Sequence, residues 1–423
     1  TNWDNVVTAC SNCNVKKGIM KYIKNKLIIE KLSVENIAKK YGTPAYCYSY
    51  SRLKENIIHF KKGFKSFKPL ICFAIKSNAN LNLIKEIKRF GLGADVVSIG
   101  ELMMAIKAGI NPKKIVFSGV GKTAMEINYA ISKNILLINA ESESEIREIE
   151  RIAKFNKKIV GIGIRLNPNT DAKTLSQIST GKKGNKFGVD SKTFLKLTEY
   201  CKKSKNLNLR CLSVHIGSQI LDHRPYEKML KVLDNIIKKS NYSFEYIDLG
   251  GGMGIPYNNN GKKLDYNKYN LAIKNFLKKN SSIIIFEPGR SIIGNTGILI
   301  SRITYIKKDT QKDFIILDAA MNDLIRPALY GAFHRILPAK KKNKKVEKIY
   351  EFVGPICEST DKFSSLKYSQ ELNEKDLVIF YDVGAYGMSL SSNYNLRLKP
   401  VELLIKNSKI KVIRKRQTYK DII

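Results

Sequence analysis

The chain has 423 residues, of which 43% are hydrophobic, 9% aromatic and 26% charged, a balance that excludes disordered and fibrous chains and allows two folded domains. Lys and Arg number 75 against 37 Asp and Glu, a net charge of +38. The lysines are spread along the whole chain beside Ile and Asn, so compositional bias explains them better than a specific nucleic-acid partner, and loose, salt-sensitive RNA association is the most they predict. No apolar run approaches the ~18 residues of a membrane span, and Thr1 to Met20 has no basic region followed by an apolar one. We therefore expect no membrane segment and no export. Seven scattered cysteines argue against a disulfide framework and for the cytoplasm.

Residues before about Leu32 carry no sharp pattern and are expected to pack on the C-terminal domain or to fray. Cys10 and Cys13 have CxxC spacing, but no second pair or histidine set accompanies them, so no metal site is expected. From Ala45 to Glu287 short apolar β runs alternate with lysine-studded helical segments: Ala45–Tyr48, Pro69–Ile75, Gly93–Val97, Ile115–Ser118, Ile135–Asn139, Lys158–Leu166, Leu212–His215, Tyr246–Leu249 and Ile283–Glu287. About eight such repeats over roughly 245 residues predict an α/β fold, a (β/α)8 TIM barrel, rather than an open sheet. After Arg290 the texture changes to period-2 runs at Gly297–Tyr305, Phe314–Asp318, Lys348–Val353 and Asp376–Tyr381, which predict a mostly β second domain. The expected division is a barrel over 40–290 and a β-rich domain from 1–39 plus 291–423. The lysine run Lys340–Lys348 reads as a solvated loop.

In a parallel barrel, reactive groups sit at the C-terminal ends of the strands. Lys76 follows Leu70–Ile75, Asp95 lies in Gly93–Val97, His215 follows Cys211–Val214, and Glu287 follows Ile283–Phe286. Each alone has a structural reading: a solvated lysine, a core histidine, a helix-start carboxylate. Gly250-Gly251-Gly252 follows a strand, where glycine backbone can come close to a ligand and aim N–H groups at a phosphate, or can equally form a flexible turn. Together these are the parts of a pyridoxal phosphate site. A lysine forms the imine, glycine amides hold the phosphate, and a carboxylate keeps the ring nitrogen protonated.

Phe73-Ala74-Ile75-Lys76-Ser77-Asn78-Ala79-Asn80, His215-Ile216-Gly217-Ser218-Gln219, Gly250–Gly252, Glu287-Pro288-Gly289-Arg290, Gly354-Pro355-Ile356-Cys357-Glu358-Ser359 and Gly384-Ala385-Tyr386-Gly387 resemble, in order, the motifs of the diaminopimelate decarboxylase family. The resemblance spans about Leu32 to Gln417. It implies an alanine-racemase-type barrel followed by a β domain, working as a head-to-tail homodimer on meso-diaminopimelate with pyridoxal 5'-phosphate. By that resemblance Lys76 forms the imine, His215 stacks on the ring, and Glu287 pairs with the ring nitrogen. Asp95, Ser218, Gly250, Gly251, Gly252, Gly289 and Arg290 also hold the cofactor. Cys357 and Glu358 reach the partner's active site, Cys357 as proton donor, and Tyr386 contacts cofactor and substrate.

Substrate choice has its own physical reading. A diamine precursor needs an acidic pocket for its distal ammonium, whereas Arg290 and Arg326 suit carboxylates. Tyr330 stands near Arg326 in sequence, and Glu358 offers an acceptor for an ammonium. This set matches a substrate with an amino acid at each end, and the product would be L-lysine. Ile99 departs from the family's more frequent glycine in a loop. His59, His223 and His334 read as core or surface residues. Open alternatives are a decarboxylase for ornithine, arginine or a carboxylated polyamine, and a non-catalytic cofactor carrier or basic RNA-binding protein that retains the barrel.

Overall fold

In this computed structural model, residues 19–172, 180–181, 184–257, 263–342 and 347–423 are described. Cys10, Cys13 and residues 343–346 of the lysine run lie outside them. The chain divides into two units by contacts. Described residues within 57–255 and 263–292 form one, and those within 19–56, 256–257 and 293–423 belong to the other.

The first unit is a closed barrel of eight parallel strands. In chain order these are Leu70–Ala74, Gly93–Val96, Ile115–Phe117, Leu137–Ala140, Val160–Arg165, Leu207–Ser213, Tyr246–Asp248 and Ile283–Phe286. Ile283–Phe286 pairs with Leu70–Ala74 and closes the ring. Cys72, Val116, Leu137, Cys211 and Ile285 share one apolar cluster. Leu207–Ser213 begins earlier than its apolar run because its first half alternates: Leu207 and Leu209 are buried while Asn208 is exposed.

The intervening helices start where short polar side chains supply caps. Ser98, Thr123, Ser142, Asp190 and Asp265 each accept from a backbone N–H two or three residues on, satisfying donors that a helix end would otherwise orphan. The last strand is braced by rings: Phe286 packs on Phe64 at 4.6 Å and on Phe60 at 5.6 Å between centroids, contacts that favour tilted and edge geometries.

The second unit holds a nine-stranded sheet and a three-stranded sheet, Met20–Ile23, Lys26–Ile29 and Leu32–Ser33. Ala45–Ser49, which the sequence groups with the βα runs, is in fact a strand of the nine-stranded sheet. It lies between Gly297–Lys307 and Val401–Lys406. All five of its residues are buried, so it needs a neighbour on each side, and those two strands supply them. Met20, Leu27 and Ile29 pack with Leu337, Ile379 and Leu403, and Leu27 N–H donates to the Ala339 carbonyl at 2.8 Å. Among the described residues no helix is long and apolar enough to cross a membrane.

Candidate active site

The strand ends of the barrel carry a belt of polar side chains that an apolar core would not tolerate unpaired. Asp95, Ser118, Asn139, Arg165, Ser213, Asp248 and Glu287 are all buried. Lys76 lies in the short 3-10 turn Ile75–Ser77 that ends the first strand, and its Nζ donates to Asp95 Oδ2 at 2.7 Å. Asp95 is fully buried, and its Oδ1 has no hydrogen-bond partner among the described residues.

Across the ring, Asn139 Nδ2 donates to Asp248 Oδ2 at 2.9 Å and contacts Ser118 Oγ at 3.2 Å. Ser118 Oγ in turn donates to Glu287 Oε1 at 3.3 Å. Burial pushes the Glu287 carboxyl well above its usual range. The negative charges of Asp248 and Asp95 add to the effect, and Lys76 opposes it. Burial likewise raises Asp248 to about 6. Two carboxyls this close in a dry setting hold a proton far more readily than either would alone.

His215 follows the sixth strand, and its Nδ1 accepts the Gly251 N–H at 3.2 Å. An accepting Nδ1 makes the ring neutral with its proton on Nε2. Burial, then the charges of Arg165 and Lys76, hold its pKa well below the ordinary value. Arg165 is itself paired with Glu141 at 2.8 Å.

The triple glycine is where glycine is required. At Gly250 (φ +64°) a Cβ would lie 2.6 Å from His215 Nδ1, and at Gly252 (φ +88°) 2.4 Å from the Gly217 carbonyl. At Gly251 it would lie 2.2 Å from the Glu287 carbonyl, and at Gly289 2.9 Å from Ser77 Cβ. Arg290 Nη2 donates to Ser218 Oγ at 3.2 Å, so the His215–Gln219 and Glu287–Arg290 turns meet. These residues fit a phosphorylated pyridine aldehyde. There is an amine at a strand end, a glycine cradle that a side chain would fill, and a buried carboxyl bearing a proton for a ring nitrogen.

In the β-rich unit, Arg326 and Tyr330 begin and end the short helix Arg326–Tyr330. Arg326 is buried. Cys357 and Glu358 are exposed. Glu358 accepts from Thr360 Oγ1 at 2.5 Å and from Tyr394 OH at 3.0 Å, bonds that lower its pKa. Tyr386 occupies a left-handed turn at φ +57°.

The sequence reading missed Ser118, Asn139, Glu141, Arg165, Ser213 and Asp248. A signal was present for five of them. Ser118 and Asn139 close the apolar runs Ile115–Ser118 and Ile135–Asn139, and Arg165, Ser213 and Asp248 lie inside the runs Lys158–Leu166, Leu212–His215 and Tyr246–Leu249.

Residues 50–294 match the profile described as "Pyridoxal-dependent decarboxylase, pyridoxal binding domain". The chain is 41% identical over 408 residues to diaminopimelate decarboxylase of Aquifex aeolicus (strain VF5), covering 96% of each chain. It is 43% identical over 392 residues to the Helicobacter pylori (strain J99) protein of the same name, covering 92% of this chain and 96% of that one. The crystal structure of diaminopimelate decarboxylase from Helicobacter pylori complexed with L-lysine superposes with a TM-score of 0.87 at 41% identity, covering 92% of this chain and 98% of that one.

Proposed function

The chain belongs to the diaminopimelate decarboxylase family, and from that premise we propose how its own residues remove CO2 from meso-2,6-diaminopimelate to leave L-lysine. The observation that carries the reading is the strand-end set in which Lys76, Asp95, His215, Gly250–Gly252 and Glu287 converge in one barrel. The experiment is turnover of meso-diaminopimelate against ornithine, arginine and carboxyspermidine, read as CO2 release. We expect measurable kcat/KM for the first alone. Faster release from any of the others would overturn the substrate assignment.

The cofactor we assign is pyridoxal 5'-phosphate, which when bound supplies an electron sink for the pair left behind by departing CO2. Lys76 Nζ is the amine that holds the aldehyde carbon, and its ion pair with Asp95 keeps it aimed into the barrel mouth. Glycine amides of Gly250–Gly252, with Ser218, Gly289 and Arg290, hold the phosphate. Glu287 holds a proton at the place for the ring nitrogen, and the neutral face of His215 offers a stacking surface. After CO2 leaves, the Cys357 thiol returns a proton to the α-carbon. Arg290, Arg326, Tyr330, Glu358 and Tyr386 recognise the substrate, and Tyr386 also meets the cofactor. At the distal end, guanidinium groups bind the carboxylate and Glu358 the ammonium.

Cys357 and Glu358 act, in our reading, in the active site of a second copy. Their exposure supports this, as do the exposed apolar side chains of the same unit, Phe333, Tyr394 and Leu396. Tyr394 bonds Glu358, and Phe333 shares a cleft with Ser359 and Thr360. Mixing Lys76→Ala chains with Cys357→Ala chains tests it. A shared site restores up to about a quarter of wild-type activity through mixed dimers, and a site built within one chain restores none. Five free cysteines among the described residues support a reducing compartment, and we place the enzyme in the cytoplasm.

A further inference from the structure

His334 is 2% exposed and lies eight residues after Arg326. Its Nδ1 is 2.9 Å from the Tyr381 carbonyl, and its Nε2 is 2.8 Å from Arg326 Nη1. A carbonyl only accepts and a guanidinium only donates, so the two contacts together dictate one tautomer. Nδ1 carries the proton, Nε2 accepts from Arg326, and the ring is neutral. A proton on Nε2 would set N–H against N–H inside a buried contact. The same guanidinium lies over the Tyr257 ring, 4.7 Å from its centroid, and Tyr257 meets the His334 ring edge-on at 5.2 Å. Arg326 is therefore held on one face by an aromatic ring and at one nitrogen by an imidazole lone pair. Neither contact brings an opposing charge.

We propose that His334 is a positioning residue for substrate specificity, a neutral hydrogen-bond acceptor that orients Arg326 toward the substrate's distal carboxylate without competing for its charge. The inference rests on the reading that Arg326 recognises that carboxylate, and it adds the residue that makes Arg326 fit for the task. A carboxylate in the place of His334 would form a charge-assisted pair with the guanidinium, and the substrate would have to displace or share it. A neutral acceptor orients the guanidinium equally well and leaves its attraction for the ligand intact. The device acts on binding of the second amino-acid end, so its signature belongs in KM for diaminopimelate and not in the bond-breaking step.

The test compares two variants of nearly equal size in the full-length holoenzyme. His334→Gln keeps one donor and one neutral acceptor, and KM for meso-diaminopimelate should stay within about threefold of wild type. His334→Glu supplies a charged acceptor, and KM should rise by about tenfold to a hundredfold with kcat changed far less. L-Lysine keeps the distal carboxylate, because the CO2 lost comes from the reacting end, so its inhibition should weaken by a similar factor with His334→Glu and stay near wild type with His334→Gln. If the glutamate variant does not fold, His334→Phe, which retains the ring against Tyr257 but accepts nothing, should raise KM by about tenfold. Equal KM values for the glutamine and glutamate variants, or equal weakening of lysine inhibition, would overturn the proposal. Arg326→Ala separates the two readings. If it leaves KM unchanged, the assignment of Arg326 itself falls. If it raises KM while His334→Glu does not, only the role of His334 falls.

Discussion

At the barrel mouth Asp95, Asp248 and Glu287 are at most 7% exposed, and burial raises the pKa of the Asp248 and Glu287 carboxyls. Cys357 and Glu358 sit instead on an exposed loop of the β-rich unit. There the carboxylate is held below its usual range by a hydroxyl and a phenol, whereas in the barrel burial drives Glu287 up. The same side-chain chemistry thus takes opposite protonation tendencies in the two regions, because one is desolvated beside like charges and the other is hydrogen-bonded in water. The barrel presents a donor set oriented in advance by its own strands, and the loop presents groups that gain their environment only when something covers them.

Four substitutions probe this contrast. Lys76→Ala removes the amine on which the barrel set converges, and CO2 release should fall by on the order of a thousandfold or more. Hydride reduction should then no longer fix the cofactor to the chain. Retention of CO2 release would refute the assigned chemistry. Glu287→Gln keeps the shape and the contact with Ser118 but cannot pass a proton to a ring nitrogen. We expect kcat to fall by about a hundredfold to a thousandfold, with thermal stability equal to or above wild type because a buried acid beside Asp248 is gone. A large loss of stability would show instead that Glu287 chiefly holds the barrel end together.

Cys357→Ala should lower kcat by about a hundredfold while moving Tm by less than about 2 °C, since little packing is lost from an exposed loop. A Tm drop comparable to that of a core truncation would break the contrast between the regions. The smallest effect concerns His215→Gln in the apoprotein. The folded pKa of His215 lies well below its unfolded value near 6.5, so the unfolded chain takes up a proton that the folded chain refuses. The stability of wild type relative to the variant should be fully present above pH 6.5 and should shrink as pH falls below it, by about 1 kcal/mol over the first pH unit. A difference independent of pH would mean that the imidazole is not held neutral.

Much of the barrel was legible because each strand is a short apolar run bounded by turn residues, and because strand ends are where a parallel barrel exposes polar groups. Lys76, Asp95, His215 and Glu287 were found that way. The belt of Ser118, Asn139, Ser213 and Asp248 was not singled out, since one polar residue in an apolar run looks like the end of the run until the ring closes and the residues face one another. His334 was read only as a core or surface residue, and the structure buries it. Its contact with Arg326 joins two segments by way of the Tyr381 carbonyl, and no spacing rule predicts that. Ala45–Ser49 was grouped with the barrel runs because an apolar strand reads the same in either sheet, and only its partners Gly297–Lys307 and Val401–Lys406 reveal which sheet it joins.

The sequence by itself determined the alternation of strands and helices, the glycine run after a strand, and the ordered motifs that identify the family, since these depend on local periodicity and residue identity. Only the tertiary structure decided the protonation tendencies of Glu287, Asp248 and His215 and the tautomer of His334, because these depend on which charges, donors and acceptors are brought within a few ångströms and on how far water is excluded.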